Sequence, residues 1–334
     1  MEHKSNPPPT QPLHAGCVAL SLLATPMNID ILWALEDGPM RPSALLKEIG
    51  SPPQSTMRHY SQILGKLGII ERRRKKEFPG STEYKLTQCG QDLLRVVSIL
   101  EKWLEMAPRR PIHLGTTKSK SSTKALAEGW STHIVRVIAA QPRTLTELSR
   151  LISKINYPAL DRRLAAMRSV ELVVPLTNAR SGVPYVPTDW LRRSVVPITA
   201  AAAWERQYQT PGARPIGRLG VEAAFLLAVP LLRMPPTFSG SCRLAVELRG
   251  QDSPVSAGVL VRIEDGEVVS RSARFEGQQA EAWASGSIDL WIGSMSGREG
   301  YRLNFGGDPA MAEAVVDGLK TALTLSGPLD IAPG

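Results

Sequence analysis

The chain has 334 residues, 43% of them hydrophobic and 5% aromatic, and carries a formal charge of +9. That length allows two or three domains, each with its own core, and the composition is ordinary for a soluble globular protein. Residues 1–210 hold 29 Lys and Arg against 17 Asp and Glu, and residues 211–334 hold 11 against 14. The basic excess therefore lies in the N-terminal two-thirds, where it suits either a polyanionic partner or a plain solvated surface.

Three cysteines (Cys17, Cys89, Cys242) lie far apart, forming neither a disulfide framework nor a CxxC pair. His59 and His133 lack the close second ligand that a zinc site needs, so no metal or cofactor is expected. The N-terminus has no signal-peptide apolar region, and the longest apolar run, 223–232, is about half of what spans a bilayer. A reducing cytoplasm and no membrane partner are the expectation.

In chain order, residues 1–14, with Pro7, Pro8, Pro9 and Pro12, read as a disordered lead-in. Residues 15–106 form a first block. Amphipathic helical spacing covers 27–35 and stops at Glu36-Asp37-Gly38-Pro39. A short helix is predicted over 42–49, a turn at Gly50-Ser51-Pro52-Pro53, and a third helix to about Lys66. Met57, Tyr60, Leu64 and Leu67 of that helix point inward, leaving Gln54, Ser55, Arg58, His59 and Gln62 outward. Two short helices joined by a tight turn, the second with a polar outer face, make a helix-turn-helix.

Strand-like Gly68-Ile69-Ile70-Glu71 follows, then Arg72-Arg73-Arg74-Lys75-Lys76, Pro79-Gly80-Ser81 and a returning strand Glu83-Tyr84-Lys85-Leu86-Thr87. This is a hairpin with a basic arm and tip, and five adjacent cations suit phosphate contacts, which need charge rather than base-specific geometry. A long helix over 91–105 ends near Trp103.

Residues 107–123, with Pro108-Arg109-Arg110-Pro111 and a Ser/Lys run, read as a flexible basic linker. Residues 124–209 repeat the first block. An offset of 103 places Ile134 on Ile31, Pro142 on Pro39, Leu148 on Leu45 and Leu172 on Ile69. An offset of 101 then places Tyr185 on Tyr84, Thr188 on Thr87 and Trp204 on Trp103, so a two-residue deletion falls within the hairpin. Tyr157, Asp161 and Arg162 occupy the second outward helix face. The second hairpin is shorter, with Arg180 as its cation, and Glu171 stands where the first copy has a glycine. Arg58 and Arg162 are the base-edge candidates, because an exposed arginine can bond bidentately to guanine. A solvated helix face is the alternative for both.

Residues 24–104 resemble the HxlR branch of the MarR-like winged-helix regulators, through Leu35-Glu36-Asp37-Gly38-Pro39, Gly68-Ile69-Ile70-Glu71-Arg72, Tyr84-Lys85-Leu86-Thr87-Gln88-Cys89-Gly90 and Trp103. The resemblance implies double-stranded DNA as partner and dimerisation through the flanking helices. With two copies in one chain it implies a monomeric pseudo-dimer, or a homodimer of such chains.

A third break at Thr210-Pro211-Gly212 to Pro215 opens the block 214–330. An apolar helix over 217–232 precedes strand-like runs at 243–248, 259–263, 267–270, 280–284 and 302–305, with an Asp265-Gly266 hairpin turn. Asp308-Pro309 opens a helix with the stripe Met311, Val315, Leu319, Leu323. The segments Ala282-Trp283-Ala284-Ser285-Gly286-Ser287, Leu290-Trp291 and Leu303-Asn304-Phe305-Gly306-Gly307-Asp308 resemble the sterol-carrier-protein type of lipid-binding domain. That likeness implies an apolar tunnel between sheet and helices for an apolar small-molecule effector, with Phe225, Leu226, Leu231, Trp283 and Trp291 as candidate liners. Plain core is the alternative for each.

The expected fold class is α+β: two tandem winged helix-turn-helix domains and a C-terminal mixed α/β domain. No GxGxxG after a strand, GxSxG elbow, HExxH or acid–base set is present, so an enzyme is not expected. A DNA-binding transcription regulator is the first reading. A lipid or polyketide carrier, with winged domains that only hold protein partners, is the second.

Overall fold

The structure is a computed structural model that describes residues 14–74, 82–129, 132–153, 155–176, 182–248, 255–274, 277–297 and 299–324. The lead-in 1–13 lies outside them, but His14 is buried and its imidazole bonds to the carbonyls of Ala15 and Leu126. It belongs to the core rather than to a lead-in.

The first block runs α1 (Cys17–Leu23), α2 (Pro26–Ala34), α3 (Pro42–Glu48), α4 (Gln54–Lys66), β1 (Ile70–Arg74), β2 (Thr82–Leu86) and α5 (Gln88–Glu105). Pro26 and Pro42 sit in the first turns of α2 and α3, where their missing N–H is no loss. Ile31, Leu32, Leu45, Leu64, Ile69 and Leu93 are fully buried and join the helices to the antiparallel β1–β2 ribbon. Helix α5 starts three residues earlier than the sequence spacing predicts because Thr87 caps it: its Oγ accepts from the Gly90 N–H at 3.2 Å.

The second block runs α6 (Thr117–Lys124), a π-helical turn (Ala125–Gly129), α7 (Thr132–Ala140), α8 (Leu145–Leu151), α9 (Tyr157–Ser169), β3 (Val173–Pro175), β4 (Tyr185–Pro187), α10 (Asp189–Arg193) and α11 (Val195–Gln207). The predicted flexible linker 107–123 is thus corrected over its second half. Thr116 caps α6 by accepting from the Ser119 N–H, and Ser119, Ser122 and Thr123 are buried against α1 and the π-helical turn. Small hydroxyl side chains that look like linker composition here allow close helix packing. Pro197 lacks the N–H that would bond the Arg193 carbonyl, and the helical run breaks at Ser194 into α10 and α11.

Several hydrogen bonds of the first block recur in the second. Met40 and Tyr84 form an isolated bridge, as do Arg143 and Tyr185. The Thr87 hydroxyl donates to the carbonyls of Gly68 and Ile69, and the Thr188 hydroxyl donates to those of Glu171 and Leu172. The N–H of Ile69 donates to Leu64 at 2.9 Å, and that of Leu172 to Met167 at 2.9 Å. Gly68 has φ +70°, and Glu171 has φ +62°.

The two blocks pack through α1, α5 and α11. The Trp103 and Trp190 rings stack with centroids 4.4 Å apart and planes 9° from parallel. Trp103 Nε1 donates to the Trp190 carbonyl at 2.9 Å, and Trp190 Nε1 to the Trp103 carbonyl at 2.8 Å. Trp204 Nε1 donates to the Cys89 carbonyl at 2.9 Å. The buried Glu205 carboxylate of α11 accepts from the Gly16 N–H at 2.7 Å and the Ala19 N–H at 2.9 Å, at the start of α1. Gly16 has φ +86°, and a Cβ there would lie 2.7 Å from the Ile198 carbonyl oxygen, so no other residue fits this approach.

The third block runs α12 (Arg218–Ala228), a 3₁₀ turn (Val229–Leu231), β5 (Gly240–Leu248), β6 (Val255–Glu264), β7 (Glu267–Ser272), β8 (Ala282–Ser287), α13 (Ile288–Met295), β9 (Asn304–Gly307) and α14 (Pro309–Leu323). Its sheet order is β7-β6-β5-β8-β9, with β5 and β8 parallel and the other pairs antiparallel. Asp265 (φ +50°) and Gly266 (φ +78°) make the β6–β7 turn with both residues left-handed, which matches the twist of the flanking strands. Asp308 caps α14 through the Met311 N–H, and the stripe Met311, Val315, Leu319, Leu323 is buried. Helix α13 was not foreseen. Ser287 initiates it by accepting from the Leu290 N–H, and its short apolar run resembles a strand continuation by composition.

This block docks on the second. Arg206 of α11 binds Asp289 of α13 through two bonds of 2.5 and 2.6 Å. Arg271 of β7 donates twice to the Ala139 carbonyl at the end of α7. The buried Glu222 of α12 is held between Arg136 of α7 and Arg218. No single helix among the described residues is long and apolar enough to cross a membrane, and no group of three His, Cys, Asp or Glu residues among them could hold a metal.

Candidate nucleic-acid interface and adjoining cavity

Helix α4 presents Gln54, Ser55, Arg58, His59 and Gln62 to solvent, while Met57, Ser61 and Leu64 face the core. The amphipathic spacing of 54–66 sets this division, since residues three and four apart share a helix face. Ser61 is a polar residue at a core position, and its hydroxyl is buried without a partner. Arg72, Arg73 and Arg74 are all exposed on β1, whereas Glu83 and Leu86 of the paired β2 are buried. In the ladder Glu71 stands opposite Lys85 and pairs with it at 2.8 Å, and Arg73 stands opposite Glu83. Lys75 and Lys76 lie outside the described residues.

Helix α9 presents Tyr157, Asp161 and Arg162 to solvent. Asn156 caps it, Oδ1 accepting from the Ala159 N–H at 2.9 Å. Arg163, one position further round, is half-buried, and burial, followed by the Arg162 charge, lowers its pKa. The hairpin beside α9 has only three-residue strands, and Pro187 cannot donate to Val173. Arg168, not singled out from sequence, donates to the Tyr185 hydroxyl at 3.3 Å and lies over its ring at 6.0 Å, tying α9 to this hairpin. Arg180 lies outside the described residues.

A cavity of about 520 Å³ opens where the second and third blocks meet. Of the five candidate liners, Phe225 and Trp291 face it, in edge-to-face contact at 5.0 Å. Leu226, Leu231 and Trp283 do not. Leu226 and Leu231 are buried core residues, and Trp283 packs against Gly306 on the neighbouring strand. Much of its lining is that of the anticipated site, from α12, α13, α14 and Val246 of β5, but the second block completes it. One wall is α11 of the second block, with Val195, Val196, Ile198, Thr199 and Ala202. No sequence pattern marks that wall, because it becomes one only when the blocks dock.

Comparison with known proteins bears on the first block. Residues 23–110 match the family model described as HxlR-like helix-turn-helix. Among solved structures, the reduced form of the transcriptional regulator YodB from B. subtilis is 28% identical, covering 28% of this chain and 90% of that one with a TM-score of 0.27. Its diamide-treated form is 29% identical over 27% and 88%, with a TM-score of 0.26. A candidate transcriptional regulator of the MarR family from Enterococcus faecalis V583 is 26% identical over 27% and 81%, with a TM-score of 0.26. No curated protein matches the chain.

Proposed function

We propose that the protein is a DNA-binding transcription regulator in which residues 15–106 and 124–209 are two winged helix-turn-helix copies paired as an intramolecular dimer. The observation that carries this reading is a pair of symmetry-related bonds. The offset of 101 that superposes Trp204 on Trp103 also places Trp190 on Cys89. The bond from Trp103 Nε1 to the residue 190 carbonyl is then the counterpart of the bond from Trp204 Nε1 to the residue 89 carbonyl. A residue of one half contacts its partner position, and the reverse also holds, as in an isologous two-fold interface. The recurring bridges and threonine bonds support the duplication itself, because each pair sits at the offset of 103 before the hairpin and 101 after it.

The HxlR-like helix-turn-helix match supports DNA as the partner. In this reading α4 and α9 enter successive major grooves, about 34 Å apart. Arg58 and Arg162 read base edges, while Arg72, Arg73 and Arg74 hold phosphate. Gln54, Ser55, His59, Gln62, Tyr157 and Asp161 complete the two helix faces. The second hairpin, short and proline-limited, grips phosphate less than the first. The third block, 214–330, serves as the domain that receives an effector.

Selection of binding sites from random duplex DNA, followed by footprinting, tests this. Enriched sites with two unlike half-sites, protected over about two helical turns by one chain, are expected. A footprint no longer than one winged-helix half-site, or no enrichment at all, refutes it.

A further inference from the structure

We infer that the β3–β4 ribbon makes a specificity-determining contact of a kind the first ribbon cannot: its apolar outer face selects A·T over G·C pairs in the minor groove beside the α9 site. This deepens the regulator reading and rests on it. The observation is an exchange of charge for hydrocarbon, position by position. In the first ribbon Glu71 stands opposite Lys85 and Arg73 opposite Glu83, so four charged residues share one face. In the second, Val174 stands opposite Val186, and the Leu176 N–H donates to the Pro184 carbonyl at 2.8 Å. Val174, Leu176, Pro184 and Val186 therefore share the corresponding face, each at the repeat offset of 103 or 101 from Glu71, Arg73, Glu83 and Lys85. Val173 and Pro187 on the opposite face are buried, so the apolar face is the outer one. Val174 and Leu176 are exposed, as is Val183, where the first copy has Thr82.

An exposed apolar face of this kind marks an interaction site. Its construction argues against a protein occupant. Leu172 and Leu176 bond toward β4, so Val173 and Pro175 turn their backbone groups outward, and Pro175 has no N–H to offer a further strand. The other edge is bridged at Tyr185 by Arg143. Four side chains also fall far short of the roughly 20–30 residues that a stable protein interface takes from each side. Charge points to a polyanion instead, since residues 142–193 hold nine Lys and Arg against four Asp and Glu. The minor groove has deoxyribose walls that Leu and Pro side chains enter as wedges. Over A·T pairs its floor offers only acceptors, whereas a G·C pair adds the guanine N2 amino group. Under a hydrocarbon face that donor loses its water and gains no acceptor. Hydrocarbon contact also releases no counterions, so the second ribbon adds discrimination without adding salt dependence.

The test uses the full chain and a duplex enriched by selection from random DNA. Each A·T pair is replaced in turn by G·C and by inosine·cytosine, which keeps the major-groove edge of guanine but lacks its N2 amino group, and affinity is read by fluorescence anisotropy. At one or more pairs flanking a half-site, G·C should weaken binding about tenfold and inosine·cytosine less than about twofold. Val174→Glu combined with Val186→Lys installs the facing pair of the first ribbon; the G·C penalty at those pairs should vanish, with circular dichroism unchanged. Leu176→Arg should steepen the slope of log K against log salt by about 0.9. A site with no pair at which inosine relieves the G·C penalty overturns the inference, as does a double variant that keeps the preference or an unchanged salt slope in Leu176→Arg. It is equally overturned by a concentration-dependent dimer in sedimentation velocity that the double variant dissolves, since a second copy then covers the face. A chain that enriches no DNA removes the regulator reading, and this inference with it.

Discussion

Glu205 offers the most direct probe of how the two halves are joined. Its side chain is 2% exposed and its carboxylate accepts two backbone N–H groups, from Gly16 at 2.7 Å and Ala19 at 2.9 Å. Glu205→Ala leaves both donors in the first turn of α1 without an acceptor. Each buried unsatisfied group costs about 1–3 kcal/mol, giving roughly 2–6 kcal/mol in all. The wild-type carboxylate has its own burial penalty, which vanishes with it. Desolvation outweighs the backbone hydrogen bonds and raises the Glu205 pKa above 4.5, so that offset is appreciable. The net loss should lie near the lower end, about 2–3 kcal/mol, or about 5–10 °C in Tm for a cooperative unit of some 200 residues. Because the folded pKa is raised, the group's protonation stabilises the fold fully below the ordinary value of 4.5 and ceases to as pH rises through the raised value. Differential scanning fluorimetry of wild type against Glu205→Gln should therefore show a gap in favour of wild type that widens as pH falls from 7 toward 4.5. An alanine variant within about 1 °C of wild type, or a gap that narrows on acidification, refutes the reasoning.

Glu171 stands at φ +62°, a conformation costing a side-chain-bearing residue about 1 kcal/mol. Its ion pair with Arg109, whose side chain is 85% exposed, returns at most about 0.5 kcal/mol. Glu171→Gly should raise Tm by about 1–3 °C, and a fall would show that the pair outweighs the strain. Burial pushes the Cys89 thiol to about 11, aided by Asp92, and the Cys242 thiol to about 12. Neither should react appreciably with iodoacetamide at pH 8 in the native protein, whereas both should label fully in guanidinium; rapid native labelling of Cys89 would contradict its packing. Replacing Arg72, Arg73 and Arg74 together by alanine should lower the slope of log K against log salt by about 2–3, since each phosphate-neutralising cation contributes about 0.9. Retention of the wild-type slope would remove the first hairpin from the interface.

The first block was legible because its signals are local. Helical spacing over 27–66, proline and glycine punctuation and a run of cations define elements that need no partner to be recognised. The left-handed Glu171 was legible as a departure, since the repeat register set it against Gly68. What failed depended on contacts distant in sequence. Residues 117–123 resemble linker until α1 packs on Ser119 and Ser122. Helix α13 packs on β8, β5 and Phe225, and the wall formed by 195–202 faces α12 and α13, so neither is recognisable from its own segment. Leu226, Leu231 and Trp283 show the same limit from the other side: being apolar and near a cavity does not decide which face a side chain takes.

The position of the third block bears on whether one chain can engage DNA with both copies. The 103-residue offset places Arg136 of α7 on Trp33 of α2. In α7 that position pairs with the buried Glu222 and α12 covers the helix, whereas in α2 Trp33 is 36% exposed. The first two blocks thus share several backbone bonds but differ in surface, and the third block docks on the second. Yet Tyr157, Asp161 and Arg162 of α9 are exposed with that domain in place, as are their counterparts on α4. Docking therefore covers α7 and leaves the outward face of α9 exposed.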